Sequence, residues 1–381
     1  MALDTIAASN ELFPVRERRA ELEAKYQRIQ QFLEEQALDA LLVSRHENIS
    51  WATAGAVEMR VAIPFELAVG SLLFTRSGQR YYLTTNNEAA RLAQEEFAQL
   101  DYQAVIAPWY ANDVAASIRK IVGQGKVAGD TASNGLSAIS MQSLRLALTK
   151  EEIARYRWLS EHTAEATTDV LLTLRPGVTE ATMQAKIAER LLEQNILPTV
   201  FLMGTDARIR NYRHAVPRAG VLDRFGMVNL CARRWGLAVS ITRFVHFGPM
   251  PTELQEKFTA VAQVNARLLH ATREGATSDA LFHVAQQAYA ELGFPGEEQQ
   301  HHQGGATGYS EREWVAQPKG TERVLDGQAF AWNPSLQGAK AEDTVVLRQG
   351  SIEVLTNTPR LPVVTSQCGT ATYTSAGVLL A

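Results

Sequence analysis

Residues 227–244, "MVNLCARRWGLAVSITRF", have the pattern of a β-hairpin that turns side chains into a pocket. An apolar run leads to a Gly near the turn, and an alternating run returns. Asn229 and Ser240 stand eleven positions apart, about where residues on facing strands point the same way. Carboxylates there would hold a divalent metal, because hard cations take anionic oxygens. Asn and Ser are poor ligands, so the pocket calls for another chemistry. Histidine is the natural acid and base near neutral pH, and the chain has eight. Glu342, in "AEDTVVL", belongs to an acidic pair opening an apolar strand, a pattern that also suits a solvated strand end. Arg312, in "GYSEREW", offers a bidentate fork to a carboxylate or other anion, or else forms a surface salt-bridged turn. The "GGATG" run before it is no phosphate loop, since no Lys-Ser/Thr follows; its glycines allow tight turns.

These residues need elements to position them. Strands "DALLVS", "VGSLLFTR", "RYYLTT", "YQAVIAP" and "KVAGD" alternate with helical stretches, ending in "SAISMQSLRLAL". That pattern predicts an α/β domain over 1–148, opened by an amphipathic helix with Leu22, Tyr26, Ile29 and Leu33 on one stripe. From 149 to 381 the character changes. A long helix begins after Thr149, which is placed to cap it, and three more long helices flank antiparallel strands, giving an α+β domain. Two domains suit a chain of 381 residues.

Bulk properties narrow the function. Hydrophobic residues make 46% and charged residues 20%, typical of a globular protein. A net charge of −4 argues against nucleic acid or an anionic membrane as partner. No apolar run has the length of a membrane span, and 1–21 contains none of the signal-peptide kind. Cys231 and Cys368 make neither a disulfide framework nor a structural zinc site, so a cytoplasmic location is expected.

Six segments, in order, carry a resemblance to the creatinase/aminopeptidase P superfamily, the "pita-bread" peptidases: "ENISWATAG", "TKEEIARYRWLSEHTAEA", the 227–244 hairpin, "HHQGGATGY", "GQAFAWNP" and "AEDTVVL". The first looks like the segment where an Asn-Ile pair precedes a strand and a Gly turn. The resemblance implies an N-terminal creatinase-type α/β domain and a C-terminal pita-bread domain. Active metallopeptidases of this superfamily bind two metals through two Asp, one His and two Glu. At the matching positions this chain has Asn229, Ser240, Gly305, Asn333 and Glu342. The resemblance therefore implies a member without bound metal, in which restoring N229D, S240D, G305H and N333E together creates a site. The metal-free creatinases share Asn229, but the Glu residues they keep at Thr242 and Asn333 are absent here.

By the same resemblance His214 and His301 line the pocket as a proton-transferring pair, with His302 beside them and Glu342 orienting one imidazole or accepting from a substrate cation. Arg243, an arginine the family keeps and more often uses to brace neighbouring acids, or Arg312 would hold a substrate anion, and Asn229, Ser240 and Asn333 would line the substrate. Arg60, after "WATAG", would reach the partner's site in a homodimer, and Asp206, Arg208 and Arg210 would form the rim. The expected activity is metal-independent, cofactor-free cleavage of a C–N bond in a small carboxylate-bearing molecule. A metallo-aminopeptidase of Xaa-Pro type, a lyase on the same scaffold and an inactive binding protein are the alternatives.

Overall fold

A computed structural model describes residues 12–381. The chain divides into two compact units, Met1–Arg145 and Leu146–Ala381. In the first, β1 (Ala40–Arg45), β2 (Leu67–Thr75) and β3 (Arg80–Thr85) form an antiparallel core. Strands β4 (Gln103–Ala107), β5 (Val127–Gly129) and β6 (Ser137–Ala138) extend it by parallel pairing, in the order β4-β3-β2-β1-β5-β6. Helix Arg19–Glu35 buries Leu22, Ile29 and Leu33, the stripe its periodicity predicts.

Two local expectations fail here. The segment expected as a strand after the Asn-Ile pair is a helix, His46–Ala52, in which Asn48 donates to the Asp130 carboxylate. Of "SAISMQSLRLAL", only Gln142–Arg145 is helical. Ser137 and Ala138 instead pair with β5 at the sheet edge, where backbone pairing outweighs weak helix preference.

The second unit opens on helix Lys150–Thr173. Thr149 Oγ1 accepts from Glu152 N at 3.1 Å, and Glu152 Oε2 accepts from Thr149 N at 2.7 Å, a reciprocal cap. Helix Glu180–Leu192 follows, capped by Thr179. Strands β7 (Leu197–Thr205), β8 (Phe225–Arg234) and β9 (Leu237–His246) then run antiparallel. A five-stranded sheet comprises β10 (Gly304–Thr307), β11 (Trp314–Val315), β12 (Ala329–Trp332), β15 (Asp343–Arg348) and β16 (Ser351–Val354). Between β12 and β15 lies a tight ribbon, β13 (Ser335–Leu336) and β14 (Ala339–Lys340). Helices Thr252–Ala271 and Ser278–Glu291, a terminal hairpin β17 (Val363–Cys368) and β18 (Ala371–Ala376), and β19 (Val378–Leu380) beside β9 complete the unit.

The β8–β9 hairpin positions the site. Arg234 pairs with Leu237 across a two-residue turn in which Trp235 and Gly236 both have positive φ, 53° and 79°. That geometry matches strand twist and favours Gly at the second position. The turn sets the register, pairing Asn229 with Thr242 and Cys231 with Ser240. Directly paired residues share a face. At its far end the same face carries Phe225, Met227 and Phe244, which pack with Phe258, Tyr289 and Trp332. One strand pair thus joins an apolar core to a polar pocket.

Candidate active site

Glu342 lies just before β15 and is buried, 3% exposed. Thr242 Oγ1 donates to its Oε2 at 2.5 Å, and Asn229 Nδ2 donates to the same oxygen. Lys340 Nζ stands 3.0 Å from Oε2, and Arg312 Nη2 donates to Oε1 at 3.2 Å. Burial pushes the carboxyl up, but the Lys340 and Arg312 charges and the Thr242 hydrogen bond outweigh it and hold the pKa at about 2. Arg312 Nη1 also donates to Ser240 Oγ at 3.3 Å, and that oxygen lies 3.2 Å from Cys231 Sγ. Burial pushes the Cys231 thiol up to about 11, so it stays protonated and unreactive.

The three histidines gather at the mouth. His214 Nε2 and His301 Nε2 are 2.9 Å apart, with the rings perpendicular. His302 stacks on His301, ring centres 4.3 Å apart, and its Nδ1 accepts from Gly304 N at 3.3 Å. Burial, then the neighbouring His302 and Lys340 charges, lowers His301 to about 3. Burial and the Arg312 and Lys340 charges lower His302 to about 4. His214 is lowered too, by burial and then Lys340. Near neutral pH the cluster is therefore uncharged. Nδ1 of His301 is buried and has no hydrogen-bond partner.

Other expectations need correction. Glu342 orients no imidazole; its partners are Asn229, Thr242, Lys340 and Arg312. Arg243 holds no substrate anion. It points away from the pocket, 1% exposed, and all five of its N–H groups are used: on Thr358 Oγ1, Thr242 O, Glu342 O, Asp343 Oδ1 and Thr356 O. Asp206 is spent on the backbone N–H groups of Asp223, Arg224 and Phe225. Arg208 is spent on Glu180 and Val216 O. Of the rim candidates Arg210 alone stays exposed, bordering a cavity of about 490 Å³ whose lining contains neither Glu342 nor the histidine pair. Asn333 is buried, with its Oδ1 unpartnered. Arg60 lies in the N-terminal unit, its backbone N–H donating to Glu58.

Lys340 and Thr242 are the site residues that sequence reasoning misses. Signals for both are present. Lys340 precedes Glu342 by two on the approach to a strand, a spacing that puts both side chains on one face. Thr242 follows from the register once the turn is placed at Trp235–Gly236.

Comparison with known proteins identifies the family and the fold. Residues 154–349 match the model of metallopeptidase family M24, and residues 25–157 that of the creatinase/prolidase N-terminal domain. The chain belongs to family M24. Its fold is that of solved family structures, a creatinase-type N-terminal domain followed by a pita-bread domain. A prolidase from Thermococcus sibiricus superposes with a TM-score of 0.74 at 18% identity, covering 88% of this chain and 97% of that one. An X-Pro aminopeptidase from Thermotoga maritima gives 0.72 at 20% identity, covering 88% and 98%. The N-terminal domain of FACT complex subunit SPT16 from chickpea, Cicer arietinum, gives 0.65 at 13%, covering 91% and 97%. No curated protein matches the chain.

The family's name implies metals, yet the residues present do not fit a divalent pair. Glu342 is already held by an ammonium and a guanidinium. At Gly305 a Cβ would lie 2.1 Å from Trp314 O and 2.7 Å from Val315 Cα, so no side chain fits at that position without the strands shifting. Restoring a histidine there would push β10 off β11, which corrects the expectation that four substitutions together rebuild a site. Among the described residues no group of three or more His, Cys, Asp or Glu is placed to hold a metal ion.

Proposed function

We propose that this family M24 protein is a metal-independent hydrolase that cleaves a C–N bond in a small carboxylate-bearing molecule, with no cofactor. The observation that carries this reading is the 2.9 Å contact between His214 and His301 beside a cationic pocket. Consider the tautomer in which His214 carries hydrogen on Nε2, donated to His301 Nε2, and leaves Nδ1 bare on the exposed ring. A water proton taken at that Nδ1 makes His214 an imidazolium whose Nε2–H is held by His301, so the charge rests on the exposed ring. The hydroxide adds to the carbon of the C–N bond, and the bond breaks as the imidazole pair returns the proton to the leaving nitrogen. Lys340 and Arg312 supply the fixed positive charge of the pocket.

The same base could serve an elimination, which needs the same acid and base. A binding role is the second reading, favoured by the likeness to the FACT subunit domain. As part of the proposal the protein is a cytoplasmic homodimer in which Arg60 approaches the partner's pocket; a monomer in light scattering would remove that role. The enzyme reading is tested by offering amidino, carbamoyl and peptidyl derivatives of small amino acids to chelator-treated protein and following amine release by NMR. Release that stops in His301→Gln supports it. Release of proline from Xaa-Pro dipeptides only after Mn or Co is added contradicts it.

A further inference from the structure

Among the described residues, Lys340 and Arg312 are the cations on the Glu342 carboxylate, and Lys340 is the more buried of the two. It is 9% exposed, and Glu342 Oε2 is its single protein acceptor, at 3.0 Å, so two of its three N–H groups lack a partner. Arg312 shares the same carboxylate and leaves a buried Nε without a partner. Two nearby acids are already engaged: Glu311 is bound by Arg233 and Asp343 by Arg243. The three histidines are neutral near pH 7. Buried Lys340 and partly exposed Arg312 therefore share one anion, an arrangement that a second anion would balance.

We infer that Lys340 anchors an anion subsite, donating to one oxygen of the substrate's carboxylate while Glu342 holds the ammonium in place. This rests on the proposed carboxylate-bearing substrate, and it makes Lys340 the residue that selects it. Arg312 is left to brace Glu342 and Ser240.

The test uses the full-length protein with acetate as probe and acetamide as its neutral isostere, by calorimetry and thermal shift. Wild type is expected to bind acetate and not acetamide. Lys340→Met should weaken acetate by roughly ten-fold or more, the worth of a charge-assisted hydrogen bond. Lys340→Arg should keep part of the binding, and Glu342→Gln, which frees both cations, should tighten it. Equal binding of acetate and acetamide, acetate binding unchanged in Lys340→Met, or no tightening in Glu342→Gln would each overturn the subsite. A loss in Arg312→Met with Lys340→Met unaffected would do so as well. Should Lys340→Met abolish acetate binding while no C–N substrate is turned over, the subsite stands and the hydrolase reading fails. Turnover with an unchanged KM in Lys340→Met has the opposite meaning: the hydrolase stands and the subsite fails.

Discussion

Glu342 and Asp343 are neighbours in the chain, both buried and both facing an arginine, yet they lie in opposite kinds of environment. On the Asp343 side every donor of Arg243 has an acceptor, and one cation meets one anion. On the Glu342 side two cations share one carboxylate, while atoms of Arg312, His301 and Asn333 lack partners. The first arrangement is closed and can only brace the sheet. The second is incomplete, and incompleteness in a buried polar cluster is where a ligand has something to contribute. An acidic pair on a strand looks uniform in sequence, but alternation sends its members to opposite faces and opposite tasks.

The largest contrast lies in turnover. His301→Gln should keep the fold and cut turnover by roughly 10² to 10⁴, the usual worth of a positioned acid or base. A loss of only a few-fold would leave the histidine pair as a binding feature. Next comes stability. Arg243→Met should cost about 3 to 5 kcal/mol in denaturant unfolding, because it strands the buried Asp343, with turnover per folded molecule unchanged. A change in kcat at full folding would show that the brace belongs to the site.

Acid should loosen the Glu342 side by a smaller amount. Its folded pKa of about 2 lies below the ordinary 4.5, so its stabilising contribution is complete above about pH 4.5 and is lost as pH falls toward 2. That difference corresponds to about 3 kcal/mol, and Glu342→Gln should flatten the decline in unfolding free energy over this window. A decline unchanged in that variant would remove the charge account of the cluster. The smallest effect concerns the pH profile of kcat/KM. Since His214 and His301 are both lowered, the acid limb should fall below the ordinary imidazole value of 6.5, with activity level through neutrality. A limb centred at or above 6.5 would mean that neither ring is the base.

Much of this arrangement is legible in the sequence. The 227–244 hairpin, its same-face Asn229 and Ser240, and the cap at Thr149 follow from turn residues and periodicity. The meeting of His214 with His301 follows only from family resemblance, since 87 positions separate them and no local pattern joins them. Arg243 is left open in sequence between bracing neighbouring acids and holding a substrate anion, because nothing local distinguishes an arginine facing substrate from one facing five acceptors across the sheet. Gly305 is misread for a related reason. A missing ligand looks like a simple substitution until the paired strands show that no Cβ can enter.

The central claim is that this pocket works with its own cations in place of metal, and elemental analysis of protein purified without chelators tests it most directly. The expected result is no stoichiometric Mn, Co or Zn, in wild type and equally in N229D/S240D/N333E, because Lys340 and Arg312 already occupy Glu342 and Gly305 leaves no room for a fourth ligand. Stoichiometric, tightly held metal in the wild-type protein would contradict the account.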